Sequence, residues 1–258
     1  MKEEVEGIIL ILSCQKYLDT RLKEFSLSKT QYNGWKVMYV IGDFLMENTY
    51  ELRGENNNIL YLKCEDSYLH LLKKLVLTFK ILDKLFIIKQ GILRCGDDLI
   101  FNEEKLLEFL KRDEKYDFWG QGYYNRGLEV KDKNILKKTK NNTFILKYYI
   151  KHREDKNNPH HNLKGIDLTK YTKQPQLFGP AGVIYYISKK SYQIAITHLE
   201  NINYNILHLD EFTNSYPYLI EDVGMSFIMY MNNVKFTHSD IFFDKPNSIC
   251  KHTNKYKY

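Results

Sequence analysis

The chain has no apolar run long enough to cross a membrane. Even Gly7–Leu12 and Phe86–Leu93 fall far short of the ~20 residues a spanning helix needs. The charged start, Met1-Lys2-Glu3-Glu4-Val5-Glu6, runs directly into a strand-like segment, so no secretory leader is expected. Paired cysteines are lacking too. Cys14, Cys64, Cys95 and Cys250 are widely spaced, with no CxxC pair and no zinc spacing, which reads as reduced thiols in an intracellular protein. A concentrated basic patch is also missing. The net charge of +6 suits an anionic small molecule rather than nucleic acid, and the densest positive stretches, Lys131–Lys140 and Lys251–Lys257, read as solvated loops. No internal repeat or low-complexity linker divides the 258 residues, so one domain is expected.

What is present is alternation of strand-like and helix-like segments. Gly7–Ser13, Trp35–Ile41, Asn58–Lys63 and Phe86–Arg94 are short apolar runs of buried-strand type. Tyr17–Leu27 has Leu18, Leu22 and Phe25 at roughly helical spacing. Ser67–Leu85 carries Leu69, Leu72, Leu75, Phe79 and Leu82 as a helical stripe behind a candidate cap at Ser67. This order predicts an α/β fold with a mainly parallel central sheet flanked by helices. Further along, Tyr116–Gly120, Asn142–Tyr149, Ala181–Ile187 and Val234–Thr237 read as strands, and Glu103–Arg112, Lys189–Glu200 and Tyr218–Met231 as helices. The stretch 152–176 reads as loop, and its His160-His161 pair as surface residues.

The most informative stretch is Arg94-Cys95-Gly96-Asp97-Asp98-Leu99-Ile100-Phe101-Asn102. A buried-type strand delivers two adjacent carboxylates to its C-terminal end, where open α/β sheets bind ligands. Two readings stand side by side. Asp97 and Asp98 hold a hard divalent cation through oxygen ligands, or they cap the helix that follows.

Six segments in order resemble the inverting β-1,3-glycosyltransferases of the galactosyltransferase/Fringe type (family 31). They are Glu65–Lys74, Arg94–Asn102, Phe118-Trp119-Gly120, Gly179–Ser188, Ile220-Glu221-Asp222-Val223-Gly224 and Thr237-His238-Ser239. Together they span roughly residues 7 to 240, and no single one is specific. The departures are His70 where the family has Asn, and Gly96 where it has the first Asp of a triplet. Gly182 alone is kept from its glycine-rich segment, with Ala181 for Ser and Ile184 for the second Gly.

The resemblance implies a GT-A (Rossmann-like) fold, with 7–122 as a nucleotide-sugar-binding half, 123–245 as an acceptor-binding half and 246–258 as a basic tail. It implies Asp98 and His238 as ligands of Mn²⁺ or Mg²⁺, His238 being alternatively a strand-end histidine satisfied by the backbone. It implies Asp97 toward the ribose hydroxyls or in support of the metal. Lys74 and Arg21 are implied near the nucleotide, each alternatively a solvated helix cation. Asp66 is implied at the nucleotide or, alternatively, as a helix cap. Asp222 is implied as general base, alternatively an acid at a helix N-terminus. Trp119, Tyr123, Tyr124 and Phe178 offer aromatic faces for an acceptor sugar, although most aromatics belong to the core.

The expected activity is therefore metal-dependent, inverting transfer from a UDP-sugar to a hydroxyl of a glycan, lipid-linked or protein acceptor. The product would carry a β-linkage. The expected setting is a cytoplasm, bacterial or that of a virus-infected host. An alternative of another class is an inactive GT-A domain that binds carbohydrate or protein, favoured by the Gly96 departure. A phosphatase or nucleotidyltransferase would rest on the Asp-Asp pair alone. A retaining enzyme would be separated by the product anomer.

Overall fold

A computed structural model describes residues 2–25, 27–54, 56–64, 66, 70–124, 177–201 and 221–253. Its architecture is α/β, a mixed central sheet flanked by helices. The strands are β1 (Glu3–Leu12), β2 (Gln31–Tyr32), β3 (Trp35–Gly42), β4 (Tyr50–Arg53), β5 (Ile59–Leu62), β6 (Phe86–Gly96), β7 (Leu99–Phe101), β8 (Phe118–Tyr124), β9 (Phe178–Ser188), β10 (Phe236–His238) and β11 (Cys250–His252). The helices are α1 (Leu71–Leu85), α2 (Glu103–Leu110), α3 (Lys189–Asn201) and α4 (Glu221–Met231).

The sheet runs β10-β8-β9-β6-β1-β3-β5-β4, with β2 added beside β3. Its centre, β6-β1-β3-β5, is parallel throughout. The pairings β6–β9, β8–β9, β4–β5 and β2–β3 are antiparallel, so the sheet is more mixed than the sequence suggests. From β1 the chain steps outward to β3 and β5. It then crosses back through α1 to β6 on the other side of β1, which is where the strand order reverses.

Burial on both faces explains why β1 is apolar without interruption. Ile8, Leu10 and Leu12 point to one face and join α1 (Leu72, Leu75, Val76, Phe79), α3 (Tyr192, Ala195, Leu199) and α4 (Met225, Ile228, Met229). Ile9 and Ile11 point to the other, with Trp35, Leu93, Cys95, α2 (Leu106, Phe109, Leu110) and the β7/β11 pair.

Several expectations are corrected. Tyr17–Leu27 is no α-helix: a single 3-10 turn at Gln15–Tyr17 is followed by turns through Glu24. Leu18 and Leu22 are half-buried against Ile41, Met46 and Tyr61, so anchoring to the sheet overrides a weak helical period. The helix expected from Ser67 begins at Leu71, with His70 at its cap position and no side-chain cap; 67–69 lie outside the described residues. Within the expected basic tail, Cys250–His252 form a strand on β7, with Cys250 buried. The expected strand 142–149, the loop with His160-His161 and the basic stretch 131–140 also lie outside the described residues. All four cysteines are free, three of them buried.

Candidate functional site

The C-terminal ends of β1, β3, β5, β6, β8 and β10 lie along one edge of the sheet, and antiparallel β9 brings its N-terminal half, Phe178–Val183, to that same edge. The seven residues that the resemblance implies at the nucleotide, the metal and the catalytic base fall there. Arg21 follows β1, Asp66 follows β5, Lys74 is in the first turn of α1, Asp97 and Asp98 follow β6, Asp222 opens α4 and His238 closes β10.

Beside β1 and β6 the acids and bases pair with one another. The Arg21 guanidinium donates to Asp97 Oδ1 at 2.9 Å and lies over the Tyr17 ring at 3.8 Å, while the Ser13 hydroxyl donates to Asp97 Oδ2 at 2.6 Å. The Lys74 ammonium donates to Asp66 Oδ1 and to the Ser13 carbonyl, each at 2.5 Å, and the Gln15 N–H donates to Asp66 Oδ2 at 2.9 Å. Burial raises the Asp97 carboxyl above its ordinary range despite Ser13 and Arg21. For Lys74, burial works against the ammonium, but Asp66 beside it outweighs that and the net shift is upward.

These contacts bear on the alternatives that the sequence left open. Arg21 and Lys74 are buried and ion-paired, not solvated helix cations. Among the described residues Asp66 bonds Gln15 and Lys74, tethering the turn after β1 to α1. The Asp pair does not cap α2 either, because β7 intervenes and Asn102 takes that position, its side chain accepting from Lys105 N–H at 3.2 Å.

Asp98 differs from Asp97. It is half-buried, and among the described residues no hydrogen bond reaches its carboxylate, while its carbonyl accepts from Thr253 N–H at 2.9 Å. A Cβ on Gly96 would stand 3.0 Å from Asp98 Oδ1, so the glycine gives this carboxylate its room.

A second group assembles around α4. Arg94, buried in β6, donates to Glu221 Oε2 at 2.7 Å and to the Gly182 carbonyl at 2.6 Å, and the Tyr185 hydroxyl donates to Glu221 Oε1. Burial opposes the Arg94 charge, but Glu221 outweighs it. The Glu221 carboxyl is raised by burial against the pull of Arg94. Next to this pair, Asp222 Oδ2 accepts from the Tyr123 hydroxyl at 2.7 Å and from Gly182 N–H at 3.0 Å. A Cβ on Gly182 would lie 3.2 Å from that oxygen, which explains a glycine there.

His238 is exposed, and its Nδ1 accepts from Gly122 N–H at 2.9 Å. Nε2 therefore carries the ring proton and faces Asp240 Oδ1 at 3.5 Å. In this orientation the ring offers no lone pair to a cation. Among the described residues no group of three or more His, Cys, Asp and Glu side chains is placed to hold a metal. The donor set does not fit a resident metal centre. One open carboxylate, Asp98, does fit a hard cation that arrives on phosphate oxygens and keeps most of its water.

Of the aromatic candidates, Trp119 is core, packed on Phe109 and Phe242, whereas Tyr123 and Phe178 are exposed at the edge. Sequence reasoning missed Ser13, Arg94, Glu221 and Tyr185. An arginine inside an apolar strand run and a glutamate after the apolar Leu219-Ile220 are the signal, because a buried charge requires a partner.

Neither a protein-family model nor a curated protein sequence matches the chain. Among the described residues no helix is long and apolar enough to cross a membrane.

Proposed function

We propose that the chain is a GT-A-type glycosyltransferase that moves a sugar from a UDP-sugar to an acceptor hydroxyl with inversion. The observation that carries this reading is the gathering of Asp98 and Asp222 at one sheet edge from distant parts of the sequence. Gly182-Val183 lies between them: the Val183 carbonyl is 3.6 Å from where a Gly96 Cβ would stand beside Asp98, and Gly182 N–H donates to Asp222.

In the proposed reaction the acceptor oxygen forms a bond to C1 of the sugar, its proton passes to Asp222, and the C1–O bond to the diphosphate breaks. UDP leaves with the bonding electrons. Asp97 and Asp66 keep the turn after β1 fixed through Arg21, Ser13 and Lys74, which preorganises the edge for the nucleotide. Of these, the Arg21 and Lys74 cations are each paired with a carboxylate. Asp98 would hold a Mg²⁺ or Mn²⁺ ion that arrives with the diphosphate, and the chemistry supplied there would be neutralisation of the leaving group's charge.

The test is UDP release from a panel of UDP-hexoses and UDP-N-acetylhexosamines, with Mg²⁺, Mn²⁺ or EDTA. Release with one donor is expected, dropping by a factor of about 10² or more in Asp222→Asn, the scale of a lost general base. Asp98→Ala is expected to abolish cation-dependent UDP binding by calorimetry, while His238→Gln retains it. No release with any donor overturns the reading.

The engaged Nδ1 of His238 favours a second reading, a binding module without turnover. It predicts UDP binding with no release from any UDP-sugar.

A further inference from the structure

Glu221 and Asp222 stand side by side at the head of α4, yet their carboxylates are held in different ways. Both oxygens of Glu221 are engaged inside the protein, Oε2 by Arg94 at 2.7 Å and Oε1 by the Tyr185 hydroxyl. Asp222 is held by backbone: Oδ1 accepts Val223 N–H at 2.9 Å, and Oδ2 accepts Gly182 N–H at 3.0 Å beside the Tyr123 hydroxyl. The direction of this carboxylate therefore depends on how β9 sits against the first turn of α4. The sheet ladders do not fix that contact. Pairs of β9 with β8 run from Phe178 to Pro180 and resume at Tyr185, and pairs with β6 stop at Ile184. Residues 181–183 thus have no ladder partner among the described residues. Arg94 spans this gap. Its Nη1 donates to the Gly182 carbonyl at 2.6 Å while its Nη2 reaches Glu221. Arg94, Gly182, Asp222 and Glu221 close a ring of contacts. Its fixed point is Arg94, 2% exposed and in register with Leu10 at the centre of the sheet.

Resting on the glycosyl-transfer reading, we propose that Arg94 is a positioning residue that aims Asp222 at the acceptor oxygen. A planar guanidinium presents two donor arms at a fixed spacing, so it sets the distance between the Gly182 peptide and the head of α4. Burial strengthens both bonds, because neither has water to compete with it. A general base must lie within hydrogen-bond reach of the proton it removes, and a misplacement of about 1 Å costs on the order of 10² in rate. The two neighbouring acids divide the work. Glu221 anchors the helix to Arg94, and Asp222, oriented by the peptide that Arg94 grips, takes the proton. Lysine brings the same charge at a single point, without the two-armed spacing.

The experiment is steady-state UDP release, with water as acceptor, from the donor selected by the panel above. It compares wild type, Arg94→Lys, Arg94→Met and Arg94→Met/Glu221→Leu, with UDP–Mg²⁺ calorimetry and melting temperatures alongside. Arg94→Lys is expected to lower kcat about tenfold and the double variant about 10²-fold. Donor KM and UDP affinity should stay at wild-type values, because the Asp98 side of the edge is untouched. Replacing both buried charges by apolar residues orphans neither, so the melting temperature is expected to recover from Arg94→Met to the double variant while kcat does not. A purely structural Arg94 would make kcat follow the melting temperature. That result, or wild-type kcat in either the lysine or the double variant, overturns this role alone. Arg94→Lys, which orphans no charge, decides the matter if the double variant does not fold. No release from wild type overturns glycosyl transfer and this role together.

Discussion

His70 has no access to water at the head of α1, and it shares that turn with Lys73 and Lys74. Burial, together with these two ammonium groups, pulls its pKa down from 6.5 to about 3. The folded protein thus holds a neutral imidazole where the unfolded chain would take up a proton below pH 6.5. A depressed base stabilises the fold fully above the unfolded pKa and loses that contribution as pH falls from 6.5 toward 3. His70→Asn should therefore flatten the acid limb of stability by up to about 1.4 kcal/mol per pH unit across that window. Urea denaturation at intervals of pH checks the slope. Other residues were legible to different degrees. Asp98 and Asp222 stand out in sequence because acids end apolar strands or open apolar helices. The partners that decide what each acid does, such as Ser13 for Asp97 and Tyr123 for Asp222, lie far away in sequence and leave no local trace. Gly96 is a case between: it reads as a lost carboxylate, yet it is the space that Asp98 occupies.

Among elements, one buried polar set helps join α4 to β6 and β9. Arg94, Glu221 and Tyr185 are all nearly excluded from solvent, and the Arg94–Glu221 contact is 2.7 Å. Removing one member leaves the other as an unpaired buried charge, at a cost of about 3–5 kcal/mol. Arg94→Met and Glu221→Leu should each destabilise by that amount in chemical denaturation. The double variant should be no worse than either single, since no orphaned charge remains. The central parallel strands and α1 to α4 were readable because each has enough periodic apolar positions to declare its type. The segment after β1 was not: Leu18, Leu22 and Phe25 mimic a helical stripe, while Arg21 and Tyr17 pin it to the sheet edge. Strands β4 and β11 were also hidden. They are too short to show alternation, and they exist because a neighbouring strand offers an edge.

For the whole molecule, the proposed nucleotide site is distributed over the turn after β1, the link to α1 and the β6 end. A ligand that bridges them should stabilise the folded chain as a unit. UDP with Mg²⁺ at about a hundred times its dissociation constant is expected to add about 2.7 kcal/mol, read as a rise in melting temperature. The rise should vanish in Asp98→Ala. The sheet as a whole was legible in outline because burial on both faces leaves a mark that burial on one face does not. The direction of β9 was not legible, and it is β9, running against its neighbours, that carries Gly182 to Asp222.

Strand β11 closes over β7, and the N–H of Thr253 reaches back to the carbonyl of Asp98. On a ribosome, β1, β3, β5 and β6 emerge early and can assemble while synthesis continues. The turn bearing Asp98 must wait until residues 250–253 have left the exit tunnel before it acquires its last backbone partner. Closure of so wide a loop is slow compared with local helix and hairpin formation. The scaffold would thus mature first and the turn that carries Asp98 last, which makes its completion a late event in the life of each newly made chain.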